Sequence, residues 1–311
     1  MNIDGSISLN PEVDNDSPLI SIIINCYNGD RYLREAVDSV MSQTYQNWEL
    51  IFWDNQSDDQ SEKIFKEYND LRLQYFYAQT HTRLYEARNY ALEKTKGKFI
   101  AFLDVDDWWE PTKLEQQILL FSDDEVGLVY SNYWIENTNN NRTKVIYKKI
   151  LPSGYVLDEQ LKHYTVGMLT MIVRRKAVES LSYAFDPRYQ IIGDFDLSIR
   201  LAVKWKFASI QYPLAHYRMH DNNLSTKHRQ LHNQEIEQWF DETSNNHEIS
   251  IKKGYHDHKK VLTYLKGLEA IESNELIRAV KYLLILPFVL KLKLLLAIIL
   301  PNEIIKTLRG R

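Results

Sequence analysis

Residues 19–24 are almost continuously apolar and β-branched, the pattern of a central parallel strand covered on both faces. Between residues 31 and 43 the apolar positions Leu33, Val37, Val40 and Met41 recur at helical spacing, and strand character returns over residues 48–53. This is a βαβ unit. The pattern goes on to predict a helix over residues 60–68, a strand over 73–77, a helix over 85–95 with Gly97 as its C-cap, and a strand over 99–103. Such alternation specifies an α/β chain with a mainly parallel sheet, whose ligands bind beyond the carboxyl ends of the strands. Tyr27, Asp54 and the run from Asp104 to Asp107 follow strand ends and so share one rim.

After Pro111 a helix carries Leu114, Ile118 and Leu119, and strands over 126–134 and 144–150 flank a polar turn as a hairpin. A strand over 169–173 and a helix over 174–181 follow. The helix over 196–205 places Asp194 at or just before its N-terminus, where a carboxylate can also serve simply as an N-cap. Residues 207–218 read as short strands interrupted by Pro213, and residues 226–250 as a solvated helix plus linker. Residues 259–273 and 275–286 form a helical pair. The stretch 282–300 is the most apolar of the chain, yet it contains Pro287, Lys291 and Lys293 and is flanked by Arg278, Lys281, Lys306, Arg309 and Arg311. Lysines near the centre of a spanning helix cost about 2.5–3.5 kcal/mol each, so the pattern predicts a helix lying in the plane of an anionic membrane. A buried core or dimer helix is the alternative reading.

With 44% hydrophobic and 26% charged residues the chain is globular, and its net charge of -4 provides no field for nucleic acid. One cysteine, Cys26, excludes an internal disulfide and fits a reducing compartment. Residues 1–17 read as a flexible polar tail without the features of a signal peptide, which predicts a cytoplasmic chain at the inner face of the cell membrane. His228, His232, His247, His256 and His258 form no matched ligand set and read as surface residues. Asp104, Asp106 and Asp107 crowd three carboxylates at a strand end, where each raises the pKa of the others unless a cation sits among them. Mg2+ or Mn2+, held by one or two carboxylates and the phosphates of a substrate, resolves that conflict and predicts a nucleotide-diphosphate site. A solvated acidic turn is the plainer alternative.

Taken together, residues 18–225 resemble glycosyltransferase family 2, the inverting nucleotide-sugar transferases of GT-A fold, with residues 226–311 as a C-terminal helical extension. Ser21 to Asn28 is similar to the family's opening strand and turn, although Asn25 stands where a proline is common. Asp54-Asn55-Gln56-Ser57-Asp58-Asp59 resembles the Asp-Asp-Gly-Ser-x-Asp loop, with Asn55 and Gln56 in place of Asp and Gly. Asp104-Val105-Asp106 resembles the Asp-x-Asp motif, and Gly193-Asp194-Phe195-Asp196-Leu197 the Glu-Asp-Tyr-Asp-Leu segment, with Gly193 in place of Glu. The resemblance implies that Tyr27 packs on the nucleobase, Asp54 accepts from the base N–H, Arg83 closes over the nucleotide and Asp104 lies near the ribose. It further implies that Asp106 and His220 reach the metal, Arg218 pairs with the diphosphate, and Arg88 is structural. Asp194 falls at the catalytic base.

These roles imply metal-dependent transfer of a sugar from a nucleotide donor, with UDP the expected nucleotide, to a hydroxyl of a glycan or lipid-linked saccharide in cell-surface polysaccharide synthesis. Residues 151–173 are the expected acceptor cover, with Trp108, Trp109, His163 and Tyr164 available for stacking. Metal-dependent nucleotidyl transfer and an inactive membrane-attached nucleotide-sugar-binding module are the rival readings. The first lacks a loop for a triphosphate, and the second has no need of Asp194.

Overall fold

The computed structural model describes residues 17–299 apart from 139, 141, 221, 222 and 224–228. The first half follows the alternation in the sequence: β1 (Ile20–Cys26), α1 (Asp30–Met41), β2 (Trp48–Asp54), α2 (Ser61–Lys66), β3 (Leu73–Tyr77), α3 (Leu84–Leu92) and β4 (Phe99–Phe102). Every residue of β1 and β2 is buried, which is why their sequences run apolar without alternating. Gly97 does not cap α3, which ends five residues earlier. It lies so close to β1 that a Cβ there would stand 2.5 Å from the Ser21 nitrogen, and its N–H donates to Ser21 Oγ at 2.7 Å.

The second half turns the sheet over. It comprises β5 (Trp108–Trp109), α4 (Lys113–Ile118), β6 (Val126–Asn137), β7 (Arg142–Val145), α5 (Leu157–Lys162), β8 (Ile172–Arg174), α6 (Arg175–Glu179), α7 (Gly193–Ala202) and β9 (Lys206–Met219). The sheet order is β3-β2-β1-β4-β8-β6-β9-β5, with β7 beside β6. Strands β1 to β4 pair in parallel, β8 runs antiparallel to both β4 and β6, and β6 and β7 form the expected hairpin. Pro213 does not divide residues 207–218 into short strands. It pairs with Asn132 inside one long strand, between register shifts on β6 that absorb its missing N–H.

Among the described residues five more helices follow: α8 (Arg229–Thr243), α9 (His247–Ser250), α10 (Lys253–Glu272), α11 (Leu276–Ile285) and α12 (Phe288–Ile299). α8 is not a solvated helix. Its Ile236, Trp239 and Phe240 are buried in the same core as Phe195, Leu197 and Ile199 of α7. His258 likewise leaves the surface group: its Nδ1 lies 3.0 Å from the Leu161 carbonyl, and burial pulls its pKa down to about 4. The apolar stretch near the end is two helices parted at Pro287. Among the described residues no helix is long and apolar enough to cross a membrane.

Candidate active site

The turns after β1 and β2 are latched together. Asn28 N–H donates to Ser57 Oγ at 3.0 Å, Asp58 N–H to Asn28 Oδ1 at 2.9 Å, and Asp30 N–H to Asp59 Oδ2 at 2.9 Å. Gln56, where the family has glycine, takes a left-handed φ of 69°, a conformation glycine adopts at less cost. This pair of turns leaves Tyr27 exposed with His81 against its ring at 4.4 Å. Asp54 is wholly buried, and its oxygens accept from Ser57 N–H at 2.7 Å and the Tyr75 hydroxyl at 2.8 Å. It shapes the turn, and its neighbour Asn55 takes a place in the cleft wall. Asn55 also bonds Thr82 through both ends of its amide, which fixes the loop carrying Arg83. Cys26 lies beneath these turns, where burial pushes its thiol up to about 11 and leaves it unreactive.

The cleft has a volume of about 1520 Å³ and is walled by Asn25, Tyr27, Asn55, Arg83, Asp104, Asp106 and His220 among others. Asp104 is paired with the buried guanidinium of Arg88 at 2.5 Å. His220 Nε2 meets Asp106 Oδ2 at 2.9 Å. Burial and then the neighbouring Asp104 raise the pKa of Asp106, while burial followed by Asp106 and Asp104 raises that of Asp107 well above the usual carboxylate range. This is the like-charge conflict expected of the sequence. Asp107 faces inward, accepting from Arg218 N–H at 2.9 Å.

Arg218 stands behind this loop and outside the cleft wall. Its Nε donates to the Asp106 carbonyl at 2.9 Å, Glu35 pairs with its Nη2, and the rings of Tyr32 and Trp108 cover it at 4.5 and 4.4 Å. The column continues with His216 stacked on Trp108 at 4.7 Å and held between Glu110 and Glu136. Trp109 is a core residue whose Nε1 donates to the Leu169 carbonyl. Neither tryptophan is offered to a sugar ring. β5, unpredicted because it is two residues long, pins this column to β9.

Asp194 lies in the first turn of α7 and does not line the cleft just described. The Tyr85 hydroxyl approaches one of its oxygens at 3.2 Å and the Tyr164 hydroxyl the other at 3.4 Å. Burial raises its pKa and the charge of Arg88 opposes the rise. Asp194 also accepts backbone N–H groups of its own turn, and the segment leading into α7 is held by Glu235 of α8, whose carboxylate accepts from the N–H groups of Gln190, Ile191 and Ile192 at 2.7–3.2 Å. Gly193 has a local reason: a Cβ there would stand 2.6 Å from the ring of Tyr85. Glu235→Ala strands three partly or fully buried donors, so it is expected to cost about 3 kcal/mol or more in urea unfolding and to lower turnover as α7 loses its anchor.

Sequence reasoning missed Tyr85, read Tyr164 as a stacking ring and Asn25 only as a replaced proline, and undervalued Arg88, which pairs with Asp104 and whose charge also acts on Asp194. Asn25 carries a visible signal, a polar residue at the end of an apolar strand. It is 9% exposed, lines the cleft, and neither amide atom has a hydrogen-bond partner among the described residues. A buried amide left open toward a cleft suits a ligand that both donates and accepts. Asn25→Ala is therefore expected to leave the melting temperature of the free protein nearly unchanged and to raise the donor KM about tenfold, read from initial rates.

The sequence model of the family described as Glycosyl transferase family 2 matches residues 21–181. Over 221 residues the chain is 31% identical to the Escherichia coli UDP-Glc:alpha-D-GlcNAc-diphosphoundecaprenol beta-1,3-glucosyltransferase WfgD, covering 69% of this chain and 85% of the relative. It is 29% identical to the putative teichuronic acid biosynthesis glycosyltransferase TuaG of Bacillus subtilis, covering 68% and 83%. Among solved structures, S. aureus TarS 1-349 in complex with UDP-GlcNAc superposes with a TM-score of 0.59 at 15% identity, covering 85% of this chain and 88% of that one. The mannosyltransferase PcManGT from Pyrobaculum calidifontis, in complex with GDP-Man and Mn2+, gives 0.62 at 17%, covering 86% and 74%. At these identities the structures speak for the fold alone.

Proposed function

Because this chain belongs to glycosyltransferase family 2 and is a glycosyltransferase of GT-A fold, we propose that it moves a sugar from a UDP-sugar to a hydroxyl of a lipid-linked saccharide, with inversion. The product would enter a cell-surface polysaccharide, and the chain would work at the inner face of the membrane. The observation that carries the reading is the Asp106–His220 pair beside Asp104 in the cleft that Tyr27 and Arg83 also line.

A carboxylate and an imidazole at 2.9 Å fit a divalent ion whose remaining ligands are substrate oxygens and water. Among the described residues no three His, Cys, Asp or Glu side chains are arranged to hold a metal ion by themselves, so the ion in this reading takes its other ligands from the substrate. The imidazole favours Mn2+ over Mg2+. When bound, the ion supplies charge stabilisation to the departing diphosphate. The chain's own residues do the rest. Tyr27 stacks on the base, Asn25 and Asn55 read its polar edge, Asp104 holds the ribose, and Arg83 closes on the phosphates. Asp54 and Arg218 act as positioning residues for the two loops. Asp194 takes the proton from the acceptor hydroxyl as that oxygen attacks the anomeric carbon, and Tyr85 and Tyr164 aim its two oxygens. One base and direct displacement give inversion.

The test is the melting temperature of the protein with UDP, dTDP, GDP, CDP or ADP, each with and without Mn2+. UDP with Mn2+ at ~100 times its dissociation constant should add about 2.7 kcal/mol, and UDP alone far less. Stabilisation by another nucleotide would replace the donor, and none at all would overturn the reading. Release of UDP rather than pyrophosphate separates glycosyl from nucleotidyl transfer.

A further inference from the structure

The two C-terminal helices have two apolar sides and, among the described residues, one partner, α10. Ala279, Leu286, Leu294 and Ala297 of this region pack with Leu268 and Ile271 of α10. The opposite side leaves Ile277, Leu284, Ile285, Phe288 and Val289 between 65% and 80% exposed. Scattered apolar residues are ordinary on a protein surface, but a contiguous face of large side chains is a docking surface. The two helices have 10 and 12 residues, well short of the ~20 needed to span a bilayer.

Charge identifies what covers this face. From residue 276 to 299 the chain contains no Asp or Glu, while Arg278, Lys281, Lys291 and Lys293 carry positive charge. Arg278 is paired with Glu275 at 3.0 Å, and Lys281 and Lys293 are exposed. A second copy would bring the same cations together across an isologous contact, with no carboxylate of these helices to receive them. An anionic lipid surface offers apolar chains and phosphate at the same depth.

We propose that α11 and α12 lie flat in the headgroup region of an anionic bilayer, with Ile277, Leu284, Ile285, Phe288 and Val289 inserted and Lys281 and Lys293 on lipid phosphates. This deepens the membrane reading made above and rests on it. α10 ties the bound face to the catalytic side. Its first turns are held on α5, through Gly254 N–H to Asp158 at 2.7 Å and His258 to the Leu161 carbonyl at 3.0 Å, and its last turns carry α11 and α12. At 20 residues this strut is about 30 Å long and sets the height of the Tyr164 and Asp194 side of the protein above the lipid.

The experiment is flotation of the full chain with vesicles of phosphatidylcholine alone and of an equimolar mixture with phosphatidylglycerol. The chain should float with the mixture, and raised salt should release it. Lys281→Gln combined with Lys293→Gln should weaken binding about 25-fold, at about fivefold per cation. Leu284→Gln with Phe288→Gln should abolish what remains. All four side chains are exposed, so unchanged melting temperatures will show that the variants fold. Failure to float with either vesicle overturns the proposal, as does a dimer in solution that Phe288→Gln dissociates. Turnover with a soluble acceptor, measured on the same preparations, keeps the two readings apart: lost flotation with turnover intact removes only the membrane face, and flotation without turnover removes only the enzymatic assignment.

Discussion

Asp194→Asn is expected to lower kcat by about 10^2- to 10^4-fold, the range a positioned general base contributes, while the midpoint of donor binding stays where it is. Asn keeps the shape and the acceptor oxygen toward one tyrosine but cannot take a proton. The wild-type pH profile carries the same information. A base must be ionised to act, so kcat falls as pH drops through the pKa of Asp194, which burial has raised above the ordinary carboxylate value. Arg88 opposes that rise. Arg88→Met should therefore move the acid limb of the kcat profile to higher pH, and Arg88→Lys should move it part of the way back. Because Arg88 also pairs with Asp104, the donor KM should rise in the same variant. Asp194→Asn turning over as fast as wild type, or an acid limb indifferent to Arg88, would place the base elsewhere.

Asp106→Ala is expected to be nearly as damaging for a different reason. It removes one of two protein ligands and leaves His220 alone to hold the ion, so kcat/KM at saturating Mn2+ should fall about 10^3-fold, equivalent to roughly 4 kcal/mol of charge stabilisation. The free protein should not suffer. Asp106 is a partly buried carboxylate beside Asp104, and deleting it relieves a like-charge conflict. The expected signature is a melting temperature equal to or above that of wild type without ligands, and loss of the increment that UDP with Mn2+ gives the wild type. Isothermal titration with Mn2+ and UDP together provides the direct measurement. An unchanged metal response would assign the ion to other groups.

The sequence by itself determined the order of the first half of the fold. β1, β2 and β4 are buried on both faces, and such strands have to be written as unbroken apolar runs, so their positions and the rim they share were legible without coordinates. It also determined the carboxylate conflict at Asp104 to Asp107, because neighbours in the chain are neighbours in space whatever the fold. What only the tertiary structure decided was set by groups distant in sequence. Glu235 holds the turn before α7 from 43 or more residues away, Tyr85 fills the space that Gly193 leaves, and Arg88 stands between two carboxylates that no local pattern connects. α8 looked solvated because three apolar residues suffice to bury a helix when a partner is waiting for them. Asp54 and Arg218 carry the chemistry of ligand contacts, yet close packing gives their hydrogen-bonding groups to Ser57, Tyr75, Glu35 and the Asp106 backbone. Residue type fixes what a side chain can bond. Which partner reaches it first is a matter of three-dimensional distance, and that is settled only when the chain has folded.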